Sequence, residues 1–244
     1  MATVLRRTLY VLIVFLSSFM SNFAPAAINV DRTRIVMSSS DKSLAITLTN
    51  ESKDVPFLAQ SWIEEANGKR SETYLLALPP LQRIDGGKKA QVRIMALPGM
   101  ESLPKDRETL FYYNIREVPP KSDKANVLQI AMQSRLKLFW RPESIKKATN
   151  VRTEEQLTIE RNAKEIIIKN PTPYYITLAY LGADNKGSFS GFDSIMLAPF
   201  SSQTFNSGYF NGNELNVGYI DDFGGLKINI YHCAGTLCSI KTQR

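Results

Sequence analysis

Cysteine and histidine are nearly absent: Cys233, Cys238 and the single His232 stand among 244 residues. One imidazole removes most Ser-His-Asp and Cys-His arrangements, which need a histidine base held by a third group. Two cysteines and one histidine are too few ligands for a tetrahedral zinc centre, so no metal is expected. There is no G-x-S-x-G elbow, Walker loop or Rossmann glycine pattern. Glu64-Glu65 and Asp221-Asp222 are adjacent carboxylates, but a strand sends neighbours to opposite faces, so neither pair makes an obvious acid–base dyad. A hydrolase is therefore disfavoured, no cofactor is implied, and the chain reads as a binding protein.

Long apolar runs are also missing beyond the N-terminus. LYVLIVFL (9–16) follows Arg6-Arg7 and precedes APA (24–26). A basic start, a short apolar core and small residues form a secretory signal peptide over 1–26, cut between Ala26 and Ala27. A membrane span would need about 20 apolar residues, so no membrane insertion of the mature chain is expected. Without Arg6 and Arg7 the formal charge of +7 becomes +5. The Lys and Arg residues are scattered beside acids rather than gathered into a stripe, which argues against nucleic acid as partner. In an exported chain, the cysteines of CAGTLC read as a disulfide, Cys233–Cys238, closing a loop worth about 2 kcal/mol at most.

What the sequence has in abundance is alternation. INVDRTRIVM (28–37), SLAITLTN (43–50), VPFLAQSWIEE (55–65), the run after the DGG turn at 85–87 and LFYYNIREVPP (110–120) all read as strands. PESIKKATNVRTEEQ (142–156) is polar and irregular, as a linker would be, and a second strand set follows to residue 233. No segment carries a helical period with caps. The expected fold is all-β, two sandwiches of roughly 100 residues each.

The segment NVLQIAMQSRLKLFWRP (126–142) is the most unusual of these. It reads as one long strand with Leu128, Ile130, Met132, Leu136 and Leu138 on one face, and it carries Arg135 and Lys137 on the other. Soluble strands average five or six residues. An apolar strand face ordinarily meets its own core, and periodicity alone does not distinguish that from a face offered to a partner.

LPKDRETLFYYNIREVPP (103–120) resembles the signature of periplasmic pilus chaperones, the family of the P-pilus and type 1 pilus assembly chaperones. The likeness extends through NVDRTRIVM, PFLAQSWIEE, PPLQRIDGG, NVLQIAMQ, KLFWRP, NPTPYY, YIDDFGG and CAGTLC. It implies two immunoglobulin-like β-sandwich domains arranged in an L with a cleft between them, at 27–145 and 146–244. It also implies a periplasmic protein that binds pilus subunits by lending them a strand and delivers them to an outer-membrane usher. By resemblance, Leu128, Ile130 and Met132 are the lent residues, and Arg34 with Lys137 anchors the subunit's C-terminal carboxylate. Glu108, Arg141 and Asp222 match an interdomain ion network, expected to orient the domains, since exposed pairs are worth roughly 0–1 kcal/mol each. The short PPKSDKAN (119–126) resembles the class that assembles rod-like pili. The competing reading is a structural pilus subunit or adhesin. That would need its own N-terminal donor extension, whereas strand-like sequence starts within a few residues of Ala27.

Overall fold

The computed structural model describes residues 27–241 except 124, 125, 149, 150, 163, 185 and 209. The expected signal peptide lies outside the described residues. Among them, no helix is long and apolar enough to cross a membrane.

The first domain is built from β1 (Ile28–Val30), β2 (Arg34–Ser38), β3 (Ser43–Asn50), β4 (Phe57–Glu65), β5 (Leu75–Leu78), β6 (Leu81–Ile84), β7 (Lys89–Ala96), β8 (Thr109–Val118) and β9 (Gln133–Arg141). They form two sheets, β1-β3-β7-β5 and β2-β9-β8-β4-β6. Alternation supplies the sandwich core: Ile46, Leu48, Val92 and Ile94 from one sheet meet Ile35, Met37, Ile63, Tyr113 and Leu138 from the other. INVDRTRIVM, expected as one strand, is two. The chain changes sheets at Asp31, whose carboxylate accepts from the Arg32 guanidinium (2.7 Å) and from Thr47 N–H (3.2 Å), and this corner releases β2 to run parallel to β9.

The second domain contains β10 (Thr158–Arg161), β11 (Glu165–Asn170), β12 (Ile176–Gly182), β13 (Ile195–Leu197), β14 (Ser201–Asn206), β15 (Glu214–Ile220), β16 (Leu226–Ala234) and β17 (Leu237–Ile240). Its ladder is continuous, in the order β13-β12-β15-β16-β17-β10-β11-β14. β17 bridges the two layers by pairing with both β16 and β10. The sheet curls over one core that includes Ile159, Ile168, Leu178, Val217 and Tyr231. Cys233 and Cys238 are register partners in the β16–β17 hairpin and form the expected disulfide.

Candidate functional site

Arg34 opens β2, and its register partner across the parallel ladder is Lys137. Register partners point to the same face, so the two cations stand side by side where the domains meet. Arg34 Nη1 donates to the Ile220 carbonyl (2.9 Å) and Lys137 Nζ to Thr177 Oγ1 (3.2 Å), both in the second domain. Neither forms an ion pair among the described residues. The Arg34 Nε–H is buried with no acceptor. Burial, then the neighbouring Arg34 charge, pulls the Lys137 ammonium below the ordinary lysine value. Burial also lowers Arg34, against the more distant charges of Asp222, Asp221 and Glu108. A carboxylate would satisfy a planar guanidinium fork and a point charge together.

The long strand expected over 126–142 is shorter than its pattern. β9 begins at Gln133, and residues 127–132 lie outside the ladder. The partner sets this limit. β8 ends at Val118, and Pro119-Pro120 offers no N–H to continue pairing. The last bond runs from Glu117 N–H to the Met132 carbonyl (3.0 Å). Leu128, Ile130 and Met132 are 85%, 66% and 42% exposed, while Leu136 and Leu138, of the same parity, are buried. The apolar stripe thus outruns its own core. On the other side of β9, β2 starts only opposite Lys137, so the edge of Gln133–Leu136 is open too.

Deeper in the interface the charges are answered. Arg141 Nε donates to Glu108 Oε1 (2.8 Å), and its Nη1 and Nη2 donate to the two Asp222 oxygens (2.8 and 3.1 Å). Glu108 Oε2 accepts the Tyr175 N–H (2.8 Å). The expectation of exposed pairs is corrected here: the Glu108 side chain is 1% exposed and that of Arg141 12%. Burial raises the Glu108 pKa despite Arg141. For Asp222, burial pushes upward, but Arg141 and Lys147 outweigh it and the net shift is downward. Lys147 extends the network to Glu154 (2.8 Å) and Asp222 (3.5 Å). Lys147, Glu154 and Thr177 were not anticipated. The first two lie in the irregular linker, where no periodicity marks a facing residue.

Fold and site together define a two-domain binding protein that presents an exposed apolar segment, an open strand edge and a pair of adjacent cations on one line. The family profile "Pili and flagellar-assembly chaperone, PapD N-terminal domain" matches residues 27–146, and "Pili assembly chaperone PapD, C-terminal domain" matches 152–231. The chain belongs to the PapD-type pilus-assembly chaperones, an immunoglobulin-like family whose members are not enzymes. It is similar to Chaperone protein PapD of Escherichia coli, 42% identical over 236 residues, 96% of this chain and 98% of that one. It is 44% identical over 213 residues to the uncharacterized fimbrial chaperone YbgP of Escherichia coli K12, 86% of this chain and 88% of that one. The solved complex of the Salmonella enterica SafA pilin with the SafB chaperone matches with a TM-score of 0.73 at 25% identity, over 86% of this chain and 97% of the matched one.

Proposed function

We propose that this protein is a periplasmic chaperone that caps pilus subunits by donating a strand and passes them to an outer-membrane usher. Family membership and the likeness to a chaperone–pilin complex support this over a structural subunit or adhesin. Processing of 1–26 as a signal peptide would deliver the chain to the periplasm, with domains at 27–145 and 146–244. The separate cores, the first reaching Trp140 and the second starting at Leu157, support that division.

The observation that carries the reading is the Arg34–Lys137 pair, side by side at the head of an open edge. A strand laid along 127–136 on that edge would occupy the line of β2 and end where β2 begins. With its C-terminal carboxylate at the two cations, it would run parallel to β9, as β2 does. Main-chain pairing then supplies register. A subunit lacking one strand would receive Leu128, Ile130 and Met132 in its open groove, each worth about 1.5–3 kcal/mol when fully buried. The Glu108–Arg141–Asp222 network holds the domains so that Ile220 and Thr177 face the anchor.

A peptide copying a pilin C-terminal strand tests the anchor. The free acid should bind tightly, and C-terminal amidation should cost about 1.5–3 kcal/mol, the range for a hydrogen bond to a charged group. Arg34→Ala and Lys137→Ala should each weaken the free acid, non-additively because they share one carboxylate. Equal binding of acid and amide would overturn the anchor.

A further inference from the structure

On a half-buried strand, alternation ordinarily turns the apolar residues inward. β16 does the reverse at its start. Tyr231 and Cys233 are buried in the core, whereas Leu226 and Ile228 are 52% and 39% exposed on the opposite face. Gly218 and Tyr180 fix that face. A Cβ on Gly218 would lie 2.6 Å from Tyr180 Cβ and 3.2 Å from Leu226 Cδ1, so both side chains close over the glycine. Ile228 is the register partner of Gly218, and Leu226 of Ile220, which in turn pairs with Thr177. Thr177 is the residue whose hydroxyl accepts from Lys137.

An apolar outer face therefore begins at the cation pair and extends along the second domain. The solvent face of β7 is more polar, with exposed Lys89, Gln91 and Arg93 beside Met95. The far end of the β15–β16 pair is polar as well, with exposed Glu214 opposite His232. Apolar residues are exposed elsewhere as well, Leu58, Leu81 and Phe200 among them, but Leu226 and Ile228 continue through Ile220 and Thr177 to the cation pair, and that continuity names the occupant.

We propose that Leu226 and Ile228 form a second contact surface for the pilus subunit whose C-terminus sits at Arg34 and Lys137, touching the body of the subunit rather than its terminal strand. This rests on the chaperone reading above, and adds a wall of the second domain that recognises the folded body of the cargo.

The test uses the full-length chaperone with two probes: an intact pilin co-expressed with it, and the free-acid C-terminal peptide. In Leu226→Asp/Ile228→Asp, intact-pilin binding should fall at least tenfold while peptide binding stays within twofold of wild type. Should the aspartates lower the melting temperature, Leu226→Ser/Ile228→Thr repeats the comparison. Lys137→Ala serves as the reference, since it should weaken both probes. Unchanged pilin binding by the double variant, with both probes weakened in Lys137→Ala, overturns the second surface and leaves the anchor standing. No effect of Lys137→Ala on either probe removes the chaperone geometry and this surface with it. Equal loss of pilin and peptide in the double variant would mean that the face acts through the anchor, which also overturns the proposal. So would a self-association of wild type that the double variant abolishes while pilin binding is retained.

Discussion

Two regions of the domain junction sit side by side and are built on opposite rules. Around Arg141 each charge has its answer: Glu108 and Asp222 take the guanidinium, Lys147 takes Asp222 and Glu154, and the Tyr175 N–H takes the remaining Glu108 oxygen. Around Lys137 the partners are neutral or missing. Among the described residues the two cations form no ion pair and meet the Ile220 carbonyl and the Thr177 hydroxyl, three apolar side chains are exposed, and one edge of β9 has no neighbour. Folding by itself favours the first arrangement, since unpaired buried charge and exposed apolar surface both cost free energy. In the proposed reading, the closed region makes the second domain a fixed wall, and the open region is where the subunit completes the structure.

Deleting a cation from each region should separate them most sharply. Arg141→Ala leaves the buried Glu108 without its cation, and breaking a buried pair typically costs about 3–5 kcal/mol. Arg34→Ala removes a desolvated charge that has no acid, so the free chaperone should be no less stable. Urea unfolding of the two variants and wild type measures this. A loss for Arg34→Ala comparable to that for Arg141→Ala would erase the distinction.

A second contrast lies within a single segment. Ile130 and Leu138 share parity, yet one is 66% exposed and the other fully buried. Leu138→Asp should prevent folding, because it places a charge in the first core. Ile130→Asp should leave the circular dichroism spectrum and melting temperature unchanged. It should nevertheless lower capture of an intact pilin by more than tenfold, since the loss of about 1.5–3 kcal/mol of burial is joined by the cost of a charge in an apolar groove. If Ile130→Asp unfolds the protein instead, the residue belongs to the chaperone's own core.

The sequence shows this division unevenly. Strand alternation reveals the β layers because side chains repeat every two residues whatever the topology. It does not reveal where a ladder stops, which is a property of the neighbour: β9 was expected from 126, but Pro119-Pro120 ends β8 and the ladder starts at Gln133. Likewise 28–37 alternates through Asp31 although the chain changes sheets there. Glu108, Arg141 and Asp222 were found by resemblance to a family, and the structure brings them together. Their burial was not anticipated, because a charged residue has the same letter on a surface as under a second domain. Lys147 and Glu154 escaped notice for the related reason that an irregular linker has no facing side to read. Leu226 and Ile228 were hidden by the rule itself: apolar residues alternating along a strand look like core, whereas here Tyr231 and Cys233 of the other parity fill the core and Leu226 and Ile228 are exposed.

The smallest expected effect is in pH dependence, and it bears on the open region alone. Burial, and then Arg34, holds the Lys137 pKa below the ordinary lysine value. In the free chaperone the sign is that of a penalised cation. The unfolded chain holds this proton more tightly than the folded one, so the cost to stability is full at low pH. It is relieved as pH rises from the folded pKa towards the ordinary lysine value. Binding runs the other way. A carboxylate attracts the charged ammonium, so affinity should decline once pH passes the lowered Lys137 value. Ratios of free-acid to amidated peptide affinity isolate this, because groups that do not act on the carboxylate cancel. The ratio should be flat at neutral pH and fall in the alkaline range, by no more than tenfold per pH unit for a single proton. Lys137→Arg should abolish the fall, since a guanidinium stays charged throughout. A ratio that remains flat in wild type to beyond the ordinary lysine range would mean that Lys137 does not carry the carboxylate, and would leave Arg34 as the lone anchor.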